Sequence, residues 1–113
     1  MTRYSERPRD MAYMRWVKLQ PCRLSGVDGA SDCEGVVQAA HVGDVGVRAL
    51  SHRSGTDRDC VPLCERHHAE RDNRRGYFDE MDVLELRAWS DAAIADEQER
   101  HAAQLAGADA IPF

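Results

Sequence analysis

From Asp59 to Asp72 the chain reads Asp59-Cys60-Val61-Pro62-Leu63-Cys64-Glu65-Arg66-His67-His68-Ala69-Glu70-Arg71-Asp72. Two cysteines, an adjacent histidine pair and a carboxylate one helical turn after the second histidine share this short stretch. The Cys64-x-x-His67 step has the spacing of half a zinc site. His68 and Asp72 would lie on one face of a helix, where they could share a harder divalent metal. One short element could therefore serve two metals, one for folding and one for catalysis.

A structural zinc needs four soft or borderline ligands in a tetrahedron, and half-sites far apart in sequence pin distant elements together. Cys22, Cys33, Cys64 and His67 are the candidate set. The first half-site is irregular. Position 25, where a second knuckle cysteine is usual, holds Ser25, and the next cysteine is Cys33. Residues 25–32 then read as an expanded knuckle loop. Cys60 is a rival ligand, but it lies in the apolar run Cys60-Val61-Pro62-Leu63, where cysteine behaves as a small hydrophobe. Four cysteines could instead form two disulfides in a secreted chain. With histidines beside them, metal binding is the better reading.

His41, His68 and Asp72 make a second constellation. Hydrolysis of a phosphodiester needs a base to activate water and a divalent cation to stabilise the departing oxygen. A histidine suits the first role near neutral pH, and a His/Asp pair on a helix suits the second. Taken singly, such residues are common on solvated surfaces. His52 and His101 have no comparable context and read as surface residues.

The elements that must position these groups follow from the pattern. Asp10 can cap a helix through Met11, Tyr13, Met14, Trp16 and Val17, ended by Pro21. Residues 23–35 are loop-like. Val36 to Val42 read as a short strand with His41 near its end. Residues 43–59 form a long polar loop holding Asp44, His52, Arg53, Asp57 and Arg58. Cys60 to Leu63 read as a second strand, and Cys64 to about Arg74 as a helix broken by Gly76. Residues 79–105 give the clearest helix, with Asp79 and Glu80 at its start and an apolar face of Val83, Leu84, Leu86, Trp89, Ala93 and Ile94.

At 113 residues, one domain spanning 1–113 is expected, with a modest core that a structural metal would help to hold. No apolar run approaches a membrane span and no signal-peptide pattern is visible, so a cytoplasmic protein is expected. The net charge is −5, but it is unevenly placed. Residues 1–76 hold 13 basic and 11 acidic side chains, and residues 77–113 hold 2 and 9. Lys18 is the only lysine among the 15 basic residues. Arginine's planar fork suits phosphate, although a GC-rich genome would give the same bias.

The order Tyr13-Met14-Arg15-Trp16-Val17, Pro21-Cys22, Ala39-Ala40-His41-Val42, Asp57, Val61-Pro62-Leu63-Cys64-Glu65-Arg66-His67-His68 resembles the phage and prophage HNH endonucleases. The resemblance covers about residues 11–78, and its most specific piece is Pro-Leu-Cys-x-x-His-His after an Ala-His strand. It implies an α+β chain: a small ββα-metal (His-Me finger) domain with a zinc knuckle, flanked by an N-terminal helix and the amphipathic helix 79–105. It implies that His41 is the general base and that Asp57 occupies the middle motif position that braces the loop. His68 falls at the catalytic-metal position of the helix, and Cys64 and His67 at structural-zinc positions. The implied cofactors are structural Zn²⁺ and catalytic Mg²⁺ or Mn²⁺, and the implied partner is DNA, held by its phosphates with little sequence choice.

Three positions depart from the family's pattern. Ala40 stands where many members have a metal-binding histidine, so a remaining ligand would come from elsewhere, with Asp44 and Asp57 as candidates. Asp72 stands where many have histidine. The first knuckle is irregular. Candidate phosphate contacts are Arg15, Lys18, Arg48, Arg53, Arg66 and Arg71, with the helix N-terminus near Cys64. Two other classes stay open: a zinc-stabilised DNA-binding module with a lapsed site, and a protein-interaction module, including a homodimer, built on the acidic helix 79–105.

Overall fold

The computed structural model describes residues 10–43 and 57–110, with the side chains of 108–110 left aside. Asp44, Arg48, His52 and Arg53, and most of the long loop expected over 43–59, lie outside the described residues. The described chain is a small α+β unit of three α-helices and a two-stranded antiparallel sheet. None of its helices is long and apolar enough to cross a membrane.

Helix α1 spans Met11–Lys18. Asp10 caps it as expected, its Oδ1 accepting from the Tyr13 amide at 3.0 Å. Tyr13 and Val17, one turn apart, are fully buried and pack on Cys60. The helix ends before Pro21, with Leu19 as its C-cap, because the residue preceding a proline is pushed out of helical conformation.

Strand β1 (Val37–His41) pairs with β2 (Cys60–Cys64) in a register that runs from Val37 opposite Cys64 to His41 opposite Cys60. All five residues of β2 are buried. Apolar layers on both sides explain this: α1 covers one, and the larger cluster of Cys22, Leu24, Val42, Leu63, Phe78, Leu86, Ala93 and Ile94 forms the other. Just before β1, Gly35 has φ +83°, and a Cβ there would come within 2.7 Å of the Glu65 side chain. Only glycine lets this segment lie so close to the start of the next helix.

Helix α2 (Glu65–Asn73) follows β2 without a loop. Cys64 is both the last strand residue and the N-cap, its sulfur accepting from the His67 amide at 3.4 Å. The helix stops at Arg74, which adopts the left-handed conformation at φ 54°, two residues ahead of the expected breaker Gly76. Its own amide and that of Arg75 close the last turn on the Arg71 and Glu70 carbonyls.

Helix α3 runs Val83–Ala110, starting later and ending later than the 79–105 reading. The start is fixed by a reciprocal cap. The Glu85 amide donates to Asp82 Oδ1 at 2.8 Å, and the Asp82 amide donates to Glu85 Oε1 at 3.0 Å. These paired bonds outweigh the weaker pull of Asp79 and Glu80 on the helix dipole. The inward face also differs. Val83 and Leu84 are exposed, whereas Leu86, Ser90, Ala93, Ile94 and Glu97 are buried. Glu97 is tolerated there because Arg23 Nη1 meets it at 2.6 Å. His101 is not a free surface residue. Its ring meets Tyr13 and Trp16 edge-on at 5.0 and 4.9 Å, docking α3 on α1.

Candidate metal centre

Cys22 follows α1, Cys33 lies at the end of the expanded loop, and Cys64 and His67 sit at the β2–α2 junction. The fold brings all four together, with their ligand atoms within 4.8 Å of one another. His67 Nδ1 stands 3.4, 3.7 and 3.3 Å from the sulfurs of Cys22, Cys33 and Cys64. A tetrahedral zinc with ordinary Zn–S and Zn–N bonds sets those separations at about 3.5 Å. The four residues could therefore hold a metal such as zinc.

The histidine is also held correctly. Its Nε2 lies 2.9 Å from the Ser31 carbonyl oxygen and donates its proton there, leaving the Nδ1 lone pair for the metal. The expanded loop thus has a purpose beyond spacing, since it delivers this carbonyl to the back of the ring. Although Cys33 as a residue is exposed, desolvation of its thiol within the cluster raises it to about 12, helped by its hydrogen bonds to Cys22 and Cys64. Burial also opposes ionisation of Cys64, but the His67 and Glu34 amides outweigh it and hold that thiol below its usual value. Of these two, Cys64 is thus the readier thiolate.

Cys60 lies outside this group. It is fully buried against Tyr13 and Val17, and burial, with the nearby charges of Asp57 and Asp59, raises its thiol to about 12. None of the four cysteines is disulfide-bonded.

His41 ends β1 with its Nε2 3.4 Å from Asp57 Oδ1. Asp57 is buried, and its other oxygen accepts the Asp10 amide at 2.7 Å, so one carboxylate braces both the histidine and the start of α1. On α2, His68 Nε2 faces Asp72 Oδ2 at 3.4 Å. Two cis ligands of an octahedral cation stand about 3 Å apart, so the pair fits one small divalent ion. His68 Nδ1 lies 2.6 Å from Gln38 Oε1 on β1, which makes Nδ1 the protonated nitrogen and Nε2 the one free to ligate. Among the described residues no third His, Cys, Asp or Glu completes a group with this pair. Ala40 is fully buried.

No family model, no curated protein and no solved structure matches this chain significantly.

The candidate phosphate contacts sort themselves by burial. Arg15 and Lys18 are exposed on α1. Arg66 is engaged with Glu34 at 3.0 Å and Glu70 at 3.3 Å. Arg71 is buried, donating to the Val42 carbonyl and Asp72, and cannot reach a phosphate. The first turn of α2 is no open anion site either. Its amides at Arg66 and His67 are taken by the Glu34 carbonyl and the Cys64 sulfur. A broad depression of about 610 Å³ lies between Glu34, Gly35, Glu65, Ala69, Asn73 and Arg75, on a different flank of α2 from His68 and Asp72.

Sequence reasoning missed Ser31, Gln38 and the role of Arg71. Their contacts with His67, His68 and Val42 span 29 to 36 residues, so no local pattern could have named them.

Proposed function

We propose that this chain is a metal-dependent HNH-type endonuclease that hydrolyses DNA phosphodiester bonds. The reading rests chiefly on one arrangement: a bracing carboxylate behind His41 at the end of β1, with a His68–Asp72 pair on the helix that follows β2. The Cys₃His cluster adds support, because it locks that helix to the sheet.

Asp57 accepts the Nε2 proton of His41, so Nδ1 is left to take a proton from water. That water attacks phosphorus in line. A Mg²⁺ or Mn²⁺ held by His68 and Asp72 would stabilise charge on the phosphate and on the departing 3′ oxygen. The products would be a 5′-phosphate and a 3′-hydroxyl. Arg15 and Lys18 offer phosphate affinity without sequence choice. Plasmid nicking with Mg²⁺ or Mn²⁺ tests the reading. Wild-type protein nicks, and His41→Ala, still zinc-loaded, does not. Equal nicking by both would remove His41 from its role.

A second reading is favoured by Ala40, which contributes no ligand and is fully buried. On it, the chain is a zinc-stabilised DNA-binding module. Salt-sensitive DNA binding with no cleavage under any divalent ion would select it.

A further inference from the structure

The contacts around His68 form a circuit that starts on β1 and ends at the residue just past it. Gln38 of β1 accepts from His68 Nδ1 at 2.6 Å. His68 Nε2 faces Asp72 Oδ2 at 3.4 Å. The other Asp72 oxygen accepts from Arg71 Nη1 at 3.1 Å, and Arg71 Nη2 donates to the Val42 carbonyl at 3.1 Å. Val42 directly follows His41.

A domain of this size gains little from burying a guanidinium, because the desolvation cost offsets the attraction. Arg71 is nonetheless only 3% exposed. What the guanidinium supplies is shape. Its rigid fork spans two acceptors at once, one on the helix and one at the end of the base-bearing strand. Gln38 does the matching job at the other end, setting the histidine's tautomer and ring orientation.

We infer that Arg71 and Gln38 are positioning residues. They hold the His68–Asp72 pair in metal-binding geometry and fix it to the strand end that carries His41. The inference rests on the proposed catalytic-metal site. It also makes Arg71 a residue that governs metal affinity without touching metal or DNA.

The test is Mn²⁺ binding to the full, zinc-loaded chain, followed by the electron paramagnetic resonance signal of free Mn²⁺. Arg71→Lys keeps the charge and loses the fork, so it isolates geometry. Gln38→Leu breaks the far end of the circuit without disturbing a buried charge, and it decides the matter if Arg71→Lys fails to fold. Each variant is expected to weaken Mn²⁺ binding tenfold to about a hundredfold, with zinc content and melting temperature held. In nicking assays, saturating Mn²⁺ should recover most of the lost rate. Mn²⁺ binding as tight as wild type in Gln38→Leu and in folded Arg71→Lys overturns the inference. So does a loss of Mn²⁺ binding that only tracks a loss of zinc. If wild-type protein itself takes up no Mn²⁺, the catalytic-metal reading fails first, which is a distinct result.

Discussion

At His67, α2 presents a fully buried nitrogen surrounded by three sulfurs. One residue later, at His68, it presents a nitrogen opposite one carboxylate, in a side chain 28% exposed. The first arrangement offers the four ligands of a structural metal site. The second offers two, and on the proposed reading it would leave coordination positions for water or substrate. A one-residue step along a helix turns a side chain by about 100°. Here that turn separates a fully buried histidine from a partly exposed one.

The largest effect should come from the region around His67. Zinc binding to such clusters is worth about 10 kcal/mol or more, as much as the whole stability of a small domain. Chelation, or Cys64→Ser, is therefore expected to abolish the cooperative melting transition and most helical circular dichroism. A chain that stayed folded without metal would erase the contrast. Next in size, His41→Ala should lower nicking by about 10² to 10⁴-fold while leaving zinc stoichiometry and melting temperature unchanged. Any loss of zinc with that variant would mean that the two regions are not separable.

Proton competition sharpens the comparison further. In the unfolded, metal-free chain the cysteine thiols have ordinary values and are protonated at neutral pH. They must release protons to bind metal, so zinc affinity should rise with pH; a flat affinity between pH 6 and 8 would contradict the assignment. The smallest effect belongs to Cys60. Its thiol rises from 9.0 to about 12 on folding, so the folded state holds the proton longer. The resulting stability is fully present below pH 9 and lost as pH climbs towards 12. Cys60→Ala should reduce that alkaline loss, at the cost of a small cavity, and should leave one zinc per chain. A lower zinc content would restore Cys60 as a ligand.

The region around His67 was the more legible of the two. Cys64-x-x-His67 is a local spacing, and of the three remaining cysteines the apolar surroundings of Cys60 set it aside, leaving Cys22 and Cys33. The capping box at Asp82 and Glu85 was also written in the sequence, yet the stronger-looking acid pair Asp79–Glu80 hid it. Glu97 looked like one more solvated acid of α3. Its partner Arg23 is 74 residues away, and only the fold reveals that this carboxylate is interior. The region around His68 was legible as residue types, not as geometry. His68 and Asp72 were visible at their helical spacing, whereas Gln38 and Arg71, which orient them, had no pattern of their own.

Cys64 ends a strand, caps a helix and offers a ligand, and this bears on the order in which the molecule assembles. Its partner His67 is 3 residues away, whereas Cys33 and Cys22 lie 34 and 45 residues from that histidine. Closing the longest of these spans costs about 2 kcal/mol more chain entropy than closing the shortest. An ion arriving at the unfolded chain should therefore meet the Cys64–His67 pair first and seed the first turn of α2. The knuckle cysteines would be gathered later, drawing β1 and α1 in behind them. Rapid mixing with Co²⁺ should then show an early absorbance with one thiolate that survives Cys22→Ser and vanishes in Cys64→Ser. The residue that joins strand to helix in the finished protein would thus be the point from which both begin to form.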